Sequence, residues 1–159
     1  MFAAAVLEFH GHKPWLLDLR SENKSHDDDH VVAVFKQYGC FGAISKTNHA
    51  VLRYREPIYK SRRELALSFF HEYFLNNGKK TLREYSPLLD LSRFDPGSRA
   101  NLATGQIKVH WRTASEDLFQ IPEFLDKLKH YTILSKKPIK NLRKADKIEI
   151  KAGKLAEFW

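Results

Sequence analysis

His30 and Ser45 are the two residues of this chain whose types and spacing best suit catalysis. Both lie in residues 27–48, where apolar residues alternate on either side of a short turn, a pattern that predicts a β-hairpin. If Phe35 faces Cys40, the register places His30 opposite Ser45, and cross-strand partners lie about 5 Å apart at Cβ. At that spacing a polar side chain can orient an imidazole that acts as a general base. A histidine that begins a strand and bonds a neighbouring loop fits the same spacing.

Cys40 is the single cysteine and the obvious candidate for a thiol nucleophile. It lies five residues along the strand from Ser45, which corresponds to about 16 Å. A nucleophile and its base must lie within hydrogen-bonding distance, so we expect Cys40 to be a packed apolar residue beside the turn. One cysteine also excludes an internal disulfide and a CxxC metal cluster.

The histidines and aspartates of residues 26–30, together with His10 and His12, are the candidate metal ligands. Consecutive side chains point in divergent directions, which favours a solvated acidic loop, although Asp28 or Asp29 could favour the imidazolium form of His30. GxSxG, P-loop, GxGxxG and HExxH motifs are absent from the sequence. We therefore expect no metal and no cofactor. Four arginines could clamp an acidic substrate or serve as ordinary charges of a strand and a helix: Arg53, Arg55, Arg62 and Arg63.

Apolar spacing and stop signals predict the elements that would position these side chains. Helices are expected over residues 2–9, 61–75 and 142–158, and strands over residues 15–19, 51–55, 80–85 and 106–111 in addition to the hairpin. Ser61 with Glu64, and Thr113 with Glu116, have the spacing of capping boxes, the second before a helix interrupted near Pro122. These elements predict an α+β domain in which an antiparallel β-sheet packs against helices.

The charge of the chain is uneven. The formal net charge is +8 over 159 residues, and residues 96–159 hold 13 Lys and Arg against 7 Asp and Glu, a net of +6. Such a surface can bind nucleic acid or an acidic protein, but no nucleic-acid-binding motif accompanies it, and a solvated surface is the favoured interpretation. No apolar run is long enough to span a membrane, and the N-terminus lacks the features of a signal peptide, so a cytoplasmic protein without a membrane partner is expected.

The order of these motifs resembles the transglutaminase-like, papain-type cysteine superfamily. The motifs are a helix, G-H-x-P, a strand, D-H-V-x-A-x-F, a turn and F-G-A-I-S-K-T-N, and the continuation to KTLREYS resembles uncharacterised bacterial members. The resemblance covers residues 2–95 and implies that His30 is the catalytic histidine and that Ser45 occupies the position of the acid. Asn48 is a possible substitute, because an amide can orient the imidazole.

The resemblance also implies a nucleophilic cysteine at the start of the first helix, which would fall before or about Met1. We accordingly expect a partial transglutaminase-like core over residues 1–95, lacking the start of its first helix, and a basic C-terminal extension over residues 96–159 that packs on the same domain. The expected function is related to thiol acyl transfer or amide hydrolysis on a protein or peptide, inactive here through truncation or as a pseudoenzyme. The alternative is a non-catalytic module that binds nucleic acid or an acidic protein through its basic C-terminal third.

Overall fold

A computed structural model describes residues 1–22, 29–47, 49–99 and 110–153. Within these ranges the chain forms a seven-stranded antiparallel sheet and five α-helices, which confirms the α+β class. The strands are β1 (Trp15–Ser21), β2 (His30–Gln37), β3 (Cys40–Ile44), β4 (Tyr54–Tyr59), β5 (Leu82–Tyr85), β6 (Leu89–Asp90) and β7 (Tyr131–Thr132). The helices are α1 (Phe2–Phe9), α2 (Arg62–Ser68), α3 (Gln120–Lys127), α4 (Lys136–Ile139) and α5 (Lys147–Gly153).

The strands follow the order β4-β3-β2-β1-β5-β7, and β6 pairs with the start of β1. Side chains alternate between the two faces of β1 and β2, so each strand contributes to two apolar cores. The first core joins residues of β1 and β2 to α2 and the chain that follows it: Leu17, Leu19, Val32, Val34, Leu65, Phe69 and Tyr73. The second core joins the opposite face to α1 and α3: Leu16, Ala33, Phe35, Ala4, Leu7, Ile121 and Leu125. The sheet therefore lies between two helical layers.

The hairpin between β2 and β3 is closed by Tyr38 and Gly39 alone. Both residues have positive φ angles, 51° and 82°, as a two-residue type I′ turn requires. Gln37 consequently pairs with Cys40, and Phe35 pairs with Gly42. The predicted register, in which Phe35 faced Cys40, is wrong by two residues because it assumed a longer loop. A shift of two keeps every side chain on its predicted face.

The third predicted strand, residues 51–55, begins later than expected. Ala50–Leu52 form a 3-10 helix, and β4 runs from Tyr54 through Pro57 to Tyr59. Pro57 does not end this strand because β4 is the edge of the sheet, where a missing N–H removes no ladder hydrogen bond. Arg53 thus lies between two elements.

The helix predicted over residues 61–75 is shorter, although its cap is present. Ser61 Oγ accepts a hydrogen bond from the N–H of Glu64 at 3.1 Å, and the Glu64 carboxylate accepts one from the N–H of Lys60 at 2.8 Å. α2 ends at Ser68, and Phe74 forms a backbone bridge with Lys80, which turns the chain back toward β5.

The predictions for the later part of the chain were less accurate. Thr113 and Glu116 cap no helix, because α3 begins only at Gln120 and carries Pro122 in its first turn. Residues 106–109 of the predicted strand lie outside the described ranges, and Trp111 lies in a turn that is buried in the second core. The predicted helix over residues 142–158 is observed as α5, and residues beyond 153 lie outside the described ranges.

Residues after 110 contact the sheet and α1 at several points. β7 pairs with β5, the N–H of Ile133 donates to the carbonyl of Arg83 at 2.8 Å, and Arg112 bonds Glu8 of α1 at 2.7 Å. The division of the chain near residue 95 remains a prediction. In the part of the chain that the structure describes, no helix is long and apolar enough to cross a membrane.

Candidate functional site

His30 and Ser45 are in direct contact. His30 begins β2 and pairs with Leu19 of β1, and its ring lies on the face of the first core, 6.3 Å from the ring of Tyr73. Ser45 follows β3, where its N–H donates to the carbonyl of Arg53 at 2.8 Å. Nε2 of His30 lies 3.0 Å from Oγ of Ser45. The two side chains meet diagonally across the hairpin, since the observed register, continued from Ala33, would place His30 opposite Thr47.

The hydrogen bonds of Ser45 determine which nitrogen of His30 carries the proton. Ser45 Oγ donates its single proton to the carbonyl of Leu52 at 2.8 Å, because a carbonyl oxygen can only accept. Ser45 Oγ must therefore accept from Nε2–H of His30. The neutral ring is then protonated at Nε2, and its basic nitrogen is Nδ1, to which no described residue is hydrogen-bonded.

The surroundings of His30 favour the neutral ring. Burial, followed by the charges of His49 and Arg55, lowers the pKa of His30 from 6.5 to about 4. Ser45 carries no charge that would stabilise an imidazolium. Asp29 accepts a hydrogen bond from the N–H of Ser21 at 3.0 Å and lies 3.6 Å from Arg20. The expectation that Asp29 would favour the imidazolium is therefore wrong, and Asp28 lies outside the described residues.

A small polar cavity of about 110 Å³ lies beside the ring of His30. Its lining combines polar and aromatic side chains with one leucine: His30, Thr47, His49, Leu52, Glu72, Tyr73 and Phe74. Known ligand pockets start near about 300 Å³, so this cavity is too small for a whole drug-sized ligand. Glu72 is not available as an acid for His30 because its carboxylate bonds Arg55 at 2.5 Å.

A larger cleft of about 510 Å³ lies on the other side of Ser45. Its lining is mostly apolar and comes from α1, the end of β3 and the loop after it: Phe2, Ala3, Val6, Leu7, Ile44, Ser45, Lys46, Thr47 and Arg53. α1 packs on the second core, whereas the ring of His30 lies on the face of the first. Ser45 joins the two sides, since it lines the cleft beside Phe2 and Ala3 and bonds His30.

Among the other candidate residues, Cys40 lies away from this centre, whereas Arg53 and Arg55 lie close to it. Cys40 pairs with Gln37 beside the turn, at the opposite end of the hairpin from His30. Asn48 lies outside the described residues. Arg55 is fully engaged, donating to Ser68, Glu72 and the carbonyls of Val51 and Tyr54. A residue so bound positions the loop and is not free to clamp a substrate.

Sequence reasoning missed the groups that complete the environment of His30. Leu52 contributes a backbone carbonyl, which carries no side-chain signal, and Tyr73 arrives from the chain beyond α2. His49 bonds the carbonyl of Gly153 at 2.8 Å, a partner 104 residues away. The one sequence signal for His49, whose charge helps to lower the pKa of His30, is its position as a second histidine close to Ser45 in SKTNH.

Three carboxylates, of Asp18, Asp29 and Asp126, have oxygens within 4.8 Å of one another. Arg20 lies among them, 3.6 Å from Asp29 and 3.7 Å from Asp126. The guanidinium thus provides the positive charge that this cluster requires.

No protein-family model matches the chain, and no curated protein matches it significantly. The resemblance to the transglutaminase-like superfamily accordingly depends on the sequence motifs.

Proposed function

We propose that this chain is a transglutaminase-like domain related to enzymes of thiol acyl transfer or amide hydrolysis, and that His30 and Ser45 occupy the positions of the base and its orienting residue. The observation that carries the proposal is the hydrogen bond from Nε2 of His30 to Ser45, at the pair of positions that the motifs indicated. The bond leaves Nδ1 as the nitrogen that could take a proton from a thiol.

In such a reaction a thiolate attacks an amide carbonyl, and the imidazole takes the thiol proton and then delivers it to the departing amine. Within residues 1–159 the only thiol is Cys40, which lies beside the turn. His30, with a pKa of about 4 and a serine in place of an acid, is also a weak base at neutral pH. We therefore propose that residues 1–159 alone do not catalyse this reaction.

The experiment extends α1 by about two helical turns before Met1 and scans a cysteine along the added residues, with Cys40 replaced by serine. Each chain is treated with iodoacetamide over a range of pH. We expect one position at which alkylation depends on His30, because an imidazole next to a thiol changes its thiolate fraction. Ser45→Asp should increase the alkylation rate at that position below neutral pH by about tenfold, because a carboxylate stabilises the imidazolium.

His10→Ala is the matched control, since His10 is an exposed histidine at the end of α1. At the responsive position His30→Ala should remove the pH dependence, and His10→Ala should not. If no cysteine position gives alkylation that changes with His30→Ala, the proposed acyl-transfer centre is wrong.

A second candidate, a binding module for nucleic acid or an acidic protein, is favoured by the charge of the C-terminal third. All nine lysines and arginines between residues 127 and 151 are exposed. Binding to mixed oligonucleotides should then weaken steeply with added salt. Absence of binding at low salt would reject nucleic acid as the partner.

A further inference from the structure

Lys80 has a buried stem and an ammonium group that reaches solvent. The residue is only 6% exposed, yet its Nζ is not buried, and none of the described residues forms a hydrogen bond or ion pair with it. A lysine can bury its aliphatic stem while it keeps its charged end in water. The ammonium group of Lys80 is therefore available to an anion from outside the chain.

Lys80 lines a cleft of about 330 Å³, which is within the size range of known ligand sites. The cleft lies between the start of β5 and the chain that follows α4, and it shares no lining residue with the two cavities beside His30 and Ser45. Its lining holds five cationic side chains, one carboxylate and two apolar residues: Lys79, Lys80, Arg83, Arg143, Lys144, Glu22, Ile139 and Leu142.

The acidic groups near the cleft are already engaged. Glu22 bonds both Lys79 and Arg83; although burial raises the pKa of Glu22, these two partners lower it overall. Glu149 binds Arg143 through two hydrogen bonds of 2.9 and 3.0 Å. Arg143 lowers the pKa of Glu149, and the charge of Lys80 adds to this effect, but neither Lys80 nor Lys144 forms an ion pair among the described residues. Five cations thus face two carboxylates, Glu22 and Glu149, which leaves an excess of three positive charges.

The walls of the cleft are held in place before any ligand binds. Arg83 donates to the carbonyls of Leu82 and Lys80, both at 2.9 Å, in addition to its bond with Glu22. The N–H of Ala145 donates to the carbonyl of Gly78 at 2.8 Å, which joins the two sides of the cleft. A Cβ at Gly78 would lie 2.5 Å from the carbonyl oxygen of Ala145, so glycine is required for this approach. A preformed site loses little entropy on binding.

We propose that this cleft binds a small phosphate-bearing molecule, with its phosphate group between Lys80 and Lys144 and its less polar part against Ile139 and Leu142. The excess of positive charge suits the roughly doubly negative phosphate monoester at neutral pH, and lysine binds phosphate as a point charge. The volume of the cleft favours a free small molecule over the backbone of a nucleic acid. The inference goes beyond the proposed acyl-transfer function and does not depend on it.

The test is isothermal titration calorimetry of the whole chain at low ionic strength with pyrophosphate, AMP and adenosine. We expect pyrophosphate and AMP to bind, AMP the more tightly because it also covers the apolar wall, and adenosine to bind at least tenfold more weakly than AMP. Single-stranded DNA is titrated in parallel to distinguish a free phosphate ester from a nucleic-acid backbone. Equal affinity for AMP and adenosine would overturn the proposal, as would binding of the DNA without binding of AMP.

Lys80→Met and Lys144→Ala should each weaken AMP binding by about tenfold or more, because each removes one of the two unpaired charges. Lys151→Ala is the matched control, an exposed lysine of α5 outside the cleft. Lys144 is itself exposed, so its variant keeps the test valid if Lys80→Met alters folding. Wild-type affinity in Lys144→Ala, or an equal loss in Lys151→Ala, would contradict the assigned site.

Discussion

Asp18, in β1 near the centre of the sheet, forms a buried pair with His130, the residue that precedes β7. A carboxylate oxygen of Asp18 lies 2.9 Å from Nε2 of His130, and both side chains are 2% exposed. Nδ1 of His130 donates its proton to the carbonyl of Leu128 at 2.8 Å. The hydrogen bond between Nε2 and Asp18 therefore needs a second proton, besides the one on Nδ1. Burial raises the pKa of Asp18, and the bond to His130 opposes this shift. The pair therefore holds one shared proton within the domain.

Removing one member of this pair should strongly destabilise the fold. His130→Leu leaves the Asp18 carboxyl buried without its partner, and we expect the free energy of unfolding in urea to fall by about 3–5 kcal/mol. In Asp18→Leu/His130→Leu both polar groups are gone, and more than half of the loss should be recovered. His10→Leu, at an exposed histidine, is the control and should change stability little. Additive effects of the two single substitutions would contradict coupling through the pair.

The tautomer of His30 can be observed directly. Long-range ¹H–¹⁵N NMR spectra of the imidazole should show Nε2 protonated and Nδ1 unprotonated at neutral pH, with a pKa of about 4 on titration. Ser45→Ala removes the acceptor of Nε2–H, so the share of the Nδ1–H tautomer should rise, and stability should fall by about 1–3 kcal/mol because the Leu52 carbonyl loses its donor. Ser135→Ala, at a serine whose side chain caps nothing, should leave both unchanged. A ring already protonated at Nδ1 would contradict the assignment.

The lowered pKa of His30 makes folding dependent on pH. Above pH 6.5 the ring is neutral in both the folded and the unfolded chain; between pH 6.5 and pH 4 only the unfolded chain binds the proton. Stability contributed by the neutral ring is therefore lost as the pH falls through this interval, by up to about 1.4 kcal/mol per pH unit. His30→Asn should flatten this part of the stability curve relative to wild type, measured by urea unfolding at each pH. Parallel curves for the two chains would show that His30 does not titrate as described.

The contact between His30 and Ser45 was predictable although its register was not. Alternation of apolar residues decides which face each side chain takes, and both residues were placed on one face. The number of residues in the turn decides the register, and Tyr38 gave no signal of a two-residue turn because tyrosine rarely adopts a positive φ. The shift of two residues kept the faces and turned a direct pair into a diagonal one.

Contacts between distant parts of the chain were beyond local sequence patterns. The carbonyl of Leu52 and the partner of His49, 104 residues away, are backbone groups whose positions depend on how the chain folds back. The cleft around Lys80 likewise depends on the backbone bond between Ala145 and Gly78. Composition located the excess of positive charge in residues 96–159, but Lys80 lies earlier, before β5, where the net charge gives no signal.

The turn of the hairpin offers a stabilising substitution. Tyr38 has a φ angle of 51° and is 91% exposed, so its side chain gains little from packing while its backbone adopts a conformation that favours asparagine or glycine. Tyr38→Asn should raise the free energy of unfolding by about 0.5–1 kcal/mol, measured by urea or thermal unfolding. Gly39→Ala should lower it by about 1 kcal/mol for a purely conformational reason, because φ is 82° and a Cβ there meets no atom within 4 Å. If Tyr38→Asn destabilises the chain, the two-residue turn is not the native connection, and the diagonal placement of His30 against Ser45 would have to be revised with it.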